Sequence, residues 1–538
     1  MVWRAEDDQG KESLKIKWEI VPYTAGMVLD LGCGEASPFP HFVGVDNYHH
    51  EKGGAFKVSA AVKVETCEKL TQFASQSWDA VFSSHLLEHI KDYKAALREW
   101  WRVVKRGGHL VLYLPHRDFY PNIGHELANP DHKHDFVPDD IIAAMREIGG
   151  WDLVENQERN KWNEYSFFQV YRKRNDKQCV IVPPATGKKA AVVRYGAFGD
   201  MMQTSSILPG LKEQGYHVTL YTTKHGYEVI KLNPYVDRFV VQDTDQVPND
   251  QLSAFFLYTS MKYDKFINFS ESIEGTLLAI PGRANHEWPQ EFRHKMMNKN
   301  YLEFMHEMAG VPFPPRVMFH PSPEERYWSR MEREKMGDFV ILWSLAGSAV
   351  HKAYPHAHQV MARILFAYPK ATIVTVGDEM CKIQELAWEK EPRILRRSGV
   401  WKIRESLTFC EQADLIIGTE TGLLNAAAML GVPKIVLLSH SSHENLTKGW
   451  NNVIAMEPEL TPCYPCHRMH YNWNYCHRET DSHAALCQFN ISAARVWKEI
   501  MGIMGMPSVD IPEEEQGTIV LHDNKALLRD NVMAAIGA

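Results

Sequence analysis

Near the N-terminus, the residues best suited to chemistry are two acids framing two glycines. Asp30, Gly32 and Gly34 stand together in "MVLDLGCG", and Asp46 lies near the end of "FVGVDN". Glycines at a strand end let the backbone approach a ligand closely. A carboxylate at the end of the following strand can accept both hydroxyls of a ribose. The pyrophosphate fingerprint GxGxxG is absent, because Gly34 is followed by Glu35, Ala36 and Ser37. A carboxylate there repels a diphosphate but tolerates a sulfonium-bearing amino acid, so the set predicts nucleoside binding without a pyrophosphate. Farther on, Ser84, His85 and the imidazoles of "DHKHDF" (Asp131 to Phe136) are placed for an acceptor. An imidazole titrates near neutral pH, so His85 has the chemistry of a general base toward a hydroxyl. Such histidines are more often satisfied polar groups or binding walls.

A second constellation opens with "AAVVRYGAFGD", which ends on Asp200. A carboxylate at the tip of a glycine turn can take a proton from an incoming hydroxyl, or it can cap the helix that follows. "WSLAGSAVHK" supplies Ser344, Ser348 and Lys352, the last a point charge for phosphates. "GTETGLLN" sets Glu420, Thr421, Gly422 and Asn425 between an apolar strand and a small-residue helix. Amides at that helix start can hold a diphosphate, while Glu420 can contact a ribose or sugar hydroxyl. Cys463, Cys466, Cys476 and Cys487 form a CxxC start with wider gaps, interspersed with His467, His470, His477 and His483. Zinc, a disulfide and free thiols are all open for this cluster, zinc being the lesser reading.

Positioning these groups requires strands that alternate with helices. "MVLDL", "FVGVDN", "WDAVFSS" and "HLVLYLP" read as strands, and "LLEHIKDYKAALREWWRVVKRGG" as a helix closed by Gly107-Gly108. Such alternation predicts parallel sheets whose ligands lie beyond the carboxyl ends of the strands. "WDLVENQ" and "EYSFFQVYRKR" are expected to close this part as antiparallel strands. The alternation restarts with "HVTLYTT", "RFVVQD" and "DKFINFS", then with "DFVILWSLAGS", "ATIVTVGDE", "ADLIIGTETG" and "KIVLLS". The expected architecture is α/β throughout, a Rossmann-like domain followed by two further Rossmann-like lobes. The expected boundaries are 1–174 for the first domain, 175–188 for a linker, 189–325 and 326–505 for the lobes, and 506–538 for an extension.

"VLDLGCG", "GVDN", "WDAVFSSHLLEHI" and "RVVKRGGHLVLYLPH" resemble the successive motifs of the Rossmann-like S-adenosylmethionine-dependent methyltransferases, over roughly residues 20–172. The resemblance implies S-adenosylmethionine as cofactor, bound through Asp30, Gly32, Gly34 and Asp46. After the fourth strand the chain reads "SSHLLEH" rather than an amino-methylating NPPY motif, which favours a sugar or other hydroxyl acceptor. "RYGAFGD", "WSLAGSAVHK" and "ADLIIGTETGLLN" resemble glycosyltransferase family 9, the ADP-heptose:lipopolysaccharide heptosyltransferases, over roughly residues 189–500. That resemblance implies a two-lobed GT-B enzyme, inverting, with an ADP-heptose-like donor and Asp200 as base. The family usually has Asp where Glu420 stands and commonly His where Asn425 stands, so the donor itself is left open.

Length supports the two resemblances together, since 538 residues exceed what one core usually serves. The formal charge of −8 argues against a generic nucleic-acid surface. No signal core or long apolar run is evident, and a cytoplasmic location is expected. The favoured reading is a bifunctional transferase acting on small-molecule donors and a glycan acceptor, with peripheral contact to a membrane if that acceptor is membrane-borne. The alternatives are a nucleic-acid-modifying enzyme and a non-catalytic structural protein that retains enzyme folds.

Overall fold

The computed structural model describes residues 11–34, 37–47, 62–63, 66–161, 163–315, 317–347 and 349–505. Ser348 and the expected extension 506–538 lie outside the described residues. The chain forms two compact units. The first comprises 1–196, 208–228 and 234–269, and the second 197–207, 229–233 and 270–538.

The first unit contains two sheets. One has eight strands in the order β3-β2-β1-β4-β5-β7-β6-β8. β1 (Val28–Leu31), β2 (Phe42–Asp46), β3 (Val62–Lys63), β4 (Trp78–Ser84) and β5 (Val104–Pro115) run parallel. β6 (Trp151–Arg159) and β7 (Ser166–Lys173) are the expected antiparallel closure. β8 (Cys179–Ile181), inside the segment expected as a linker, pairs with β6. β1 is buried at every position, as a central parallel strand covered on both faces must be.

Gly107-Gly108 do not end the helix. It runs from Tyr93 to Val103, and the glycines lie within β5, where the pairing slips from Trp78↔Val104 to Ala80↔His109. Gly107 has φ +77°, and a Cβ on Gly108 would sit 2.5 Å from the Asp79 carbonyl oxygen. The pair therefore serves a bulge, whose extra residues need a conformation and a closeness that side chains oppose.

The second sheet of this unit is β11-β10-β9-β12, all parallel. Its strands are β9 (Lys189–Val193), β10 (His217–Thr223), β11 (Arg238–Gln242) and β12 (Lys265–Asn268). One apolar cluster joins the two sheets. It packs Ile16, Ile20, Phe39 and Phe82 with Ala191, Val193, Tyr221 and Phe255.

The second unit is built on a six-stranded parallel sheet, β15-β14-β13-β16-β17-β18. β13 (Phe339–Ser344), β14 (Ala371–Val376), β16 (Leu415–Thr419) and β17 (Lys434–Leu437) fall on the expected runs. β15 (Ile394–Arg396) and β18 (Val453–Met456) extend the sheet at its edges. The polar and aromatic stretch before β13 folds into helices that include Gln290–Met297, Tyr301–Ala309 and Pro323–Arg333.

Candidate functional site

In the first unit, the turn after β1 is shaped by its glycines. Gly32 (φ +70°) and Gly34 (φ +54°) occupy the left-handed region, and a Cβ on Gly32 would press on Leu86 at 3.0 Å. Gly32 N–H donates to the Val45 carbonyl at 2.8 Å, tying the turn to β2. The Asp46 carboxylate accepts from Gly34 N–H at 3.2 Å and from Asn47 N–H at 2.7 Å. Asp30 is buried and accepts from Ser37 Oγ at 2.5 Å. Burial pushes its carboxyl up to about 7, with the charge of Asp46 adding to the rise. Thus Asp30 and Asp46 both flank the glycine turn, Asp46 with a carboxylate that already organises the loop backbone.

His85 follows β4 directly, with φ +49°. Its Nε2 is 2.9 Å from Ser166 Oγ, and its ring meets Tyr113 and Tyr165 at centroid distances of 5.3 and 5.7 Å. Burial, then the charges of Lys15 and the neighbouring His132 and His89, hold the imidazole well below its ordinary 6.5. The neutral form of the imidazole is therefore favoured. Beside it lies Glu88, fully buried, which the reading of the sequence had passed over within "LLEH".

The second unit contains a cavity of about 480 Å³ that gathers its chemistry-bearing residues. Asp200, Ser344, Lys352, Glu420, Thr421, Gly422 and Asn425 all line it. Two helix starts meet there. The helix Phe198–Ser205 carries Asp200 in its first turn, where Oδ2 accepts from Ala197 N–H at 2.7 Å. The helix Gly422–Ala427 approaches so closely that a Cβ on Gly422 would lie 3.0 Å from Phe198 Cβ. Gln203 Nε2 donates to Asn425 Oδ1 at 3.2 Å, locking the two helices together.

Lys352 is buried and donates to the Glu420 carbonyl at 2.7 Å. Burial lowers it from its ordinary value, against the opposing pull of Glu420 and Asp200. Ser344 Oγ lies 3.2 Å from Thr421 Oγ1. The Glu420 carboxylate accepts from Ser439 N–H (2.9 Å), Ser439 Oγ (2.6 Å) and Ser441 N–H (3.0 Å), and it pairs with His440. Burial opposes its ionisation, but His440, Lys352 and Ser439 outweigh burial and hold the carboxyl well below the usual range. Glu420 is thus an ionised anchor for the 439–441 loop as well as a wall of the cavity. His440, Asp378 and Trp401 line the same cavity and were not anticipated. "LLSHSSH" offered a signal for His440, whereas Trp401 stands in a segment with no motif.

The four late cysteines line a separate cavity of about 270 Å³ with Arg293, His351 and His470, and all four are unbridged. Cys466 Sγ lies 3.6 Å from His470 Nε2. Among the described residues, two groups bring three potential metal-ligating atoms within 4.8 Å of one another: Glu88, His89 and His132, and His351, Glu420 and His440.

No curated protein matches this chain. Among solved structures, it is similar to a glycosyl transferase family 9 protein from Veillonella parvula at 16% identity and TM-score 0.42, covering 60% of this chain and 99% of that one. It is similar to the E. coli ADP-heptose lps heptosyltransferase II at 13% identity and TM-score 0.41, covering 59% of this chain and 98% of that one. An S-adenosylmethionine dependent methyltransferase from Mesorhizobium loti matches at 15% identity and TM-score 0.25, covering 30% of this chain and 99% of that one. The family model described as a methyltransferase domain matches residues 29–112, and over that span, which holds Asp30, Gly32, Gly34, Asp46 and His85, the chain carries a methyltransferase domain.

Proposed function

We propose that the chain is a bifunctional transferase that modifies a glycan, using S-adenosylmethionine in its N-terminal part and a sugar nucleotide in its C-terminal part. The observation that carries the sugar-transfer reading is the convergence of Asp200, Lys352 and the Thr421–Gly422 helix start on one cavity. An acid, a buried cation and a set of helix-start amides are the three parts that displacement of a nucleoside diphosphate requires. In this reading the acceptor hydroxyl gives its proton to the Asp200 carboxylate as its oxygen attacks the anomeric carbon. The bond from that carbon to the diphosphate breaks with inversion, and Lys352 and the helix start take up the negative charge. The donor resembles ADP-heptose in class, with Glu420 and Asn425 tuning its choice.

For methyl transfer, the glycine turn and Asp46 hold the nucleoside while His85 faces the acceptor hydroxyl as base. S-Adenosylmethionine supplies the activated methyl group. The test is a panel of labelled sugar nucleotides and glycan acceptors incubated with the full-length protein, with and without methyl-labelled S-adenosylmethionine. Incorporation of both labels into glycan is the expected result. Failure of every donor to transfer, together with no S-adenosylmethionine binding by calorimetry, would overturn the reading.

A further inference from the structure

The Glu88 side chain is fully buried, and among the described residues neither of its carboxylate oxygens has a hydrogen-bond partner. A carboxylate left so is costly unless something compensates for the water it lost. Around Glu88 Oε1 stand three imidazole nitrogens: His89 Nε2 at 3.8 Å, His85 Nδ1 at 3.9 Å and His132 Nε2 at 4.0 Å. These separations exceed hydrogen-bonding reach. They approach the spacing of groups that share an ion, since bonds of about 2.0–2.2 Å place tetrahedral ligands roughly 3.4 Å apart.

We propose that Glu88, His89 and His132 bind a divalent metal ion of the zinc class beside the carboxyl end of β4. The ligand atoms of Glu88, His89 and His132 already lie within 4.8 Å of one another.

Metal ligation takes unprotonated imidazoles and an ionised carboxylate, and the bound cation would compensate the buried Glu88 charge. Nearby Glu12 also contributes negative charge, its Oε2 lying 3.8 Å from His85 Nε2. Resting on the methyltransferase reading, the inference adds that the ion would orient the acceptor oxygen, since His85 stands where β4 ends.

The test uses full-length protein stripped by chelator, reloaded with Zn²⁺ and analysed for bound metal. Co²⁺ absorption serves as a second readout of nitrogen and oxygen ligation. Wild type should retain zinc, and Glu88→Gln and His132→Gln should each weaken binding by at least about ten-fold. Zinc held by the cysteine cavity would survive both substitutions, so the loss reads the histidine site alone. Circular dichroism and S-adenosylmethionine calorimetry on each variant show whether fold and cofactor binding persist. Equal zinc affinity in wild type and both folded variants would overturn the proposal. Cofactor binding without metal binding would sink this site alone, whereas loss of cofactor binding by wild type would sink the methyltransferase reading.

Discussion

At the scale of single residues, Asp200 serves two tasks at once. One carboxylate oxygen closes the first turn of its helix, while the residue lines the cavity that holds Lys352. Asp200→Asn keeps an acceptor for the Ala197 amide but cannot take a proton. Sugar transfer should therefore fall by about 10²–10⁴, the usual worth of a general base, with little change in melting temperature. A variant transferring sugar near the wild-type rate would leave Asp200 as a cap only. Asp46 is similarly divided between the loop amides it accepts from and the ribose it is expected to bind. Asp46→Ala should weaken S-adenosylmethionine binding by about 1–3 kcal/mol, measured calorimetrically.

Glu420 makes a pH prediction. Its folded pKa is depressed below the ordinary 4.5, so its stabilising contribution is complete above about that pH and is lost as pH falls toward the folded value. Acid unfolding of the second unit should begin below about pH 4.5 and be blunted in Glu420→Gln, followed by tryptophan fluorescence. Identical acid limbs in both proteins would show that the Glu420 anchor contributes nothing there.

At the scale of elements, the cavity proposed for sugar transfer depends on two helix starts pressed together. Added Cβ atoms on Gly199 and Gly422 would meet Asn425 Nδ2 at 3.1 Å and the Gly199 amide nitrogen at 3.1 Å. The second contact is with backbone, which cannot swing aside as a flexible side chain would. Gly422→Ala should therefore cost about 1–3 kcal/mol of stability and spread the two helices, weakening donor binding. Thermal unfolding and donor calorimetry check this. An unchanged melting temperature with unchanged donor affinity would show that the helices can part without consequence.

At the scale of the whole molecule, two compact units carry two separate sets of groups. The described residues contain no helix long and apolar enough to cross a membrane. The two chemistries should respond differently to metal removal. In the proposed sugar transfer the positive charge comes from Lys352 and the Thr421–Gly422 helix start, so a chelator should leave its rate within about two-fold. Methyl transfer should drop on the same treatment and recover with Zn²⁺ if the Glu88 site is occupied in the working enzyme. Sugar transfer abolished by chelator and restored by Mg²⁺ or Mn²⁺ would contradict the first expectation.

By itself the sequence determined the alternation of strands and helices, because buried parallel strands must be continuously apolar. "MVLDL", "FVILWS" and "LIIGT" read that way directly. It also marked Asp46 and Glu420, charged residues at strand ends that stand out against the apolar runs, and Asp30, Asp200 and Lys352 through the motifs that hold them. Edge strands Ile394–Arg396 and Val453–Met456 escaped notice, being short and only partly buried, with little pattern to betray them. Gly107-Gly108 looked like a helix stop, and only pairing across β4 and β5 showed a bulge. Tertiary structure alone decided which groups meet. Glu88 and His132 are 44 positions apart, and Glu420 and Ser439 are 19 apart. Such encounters depend on how folded elements pack, a long-range property that no local spacing of residue types encodes.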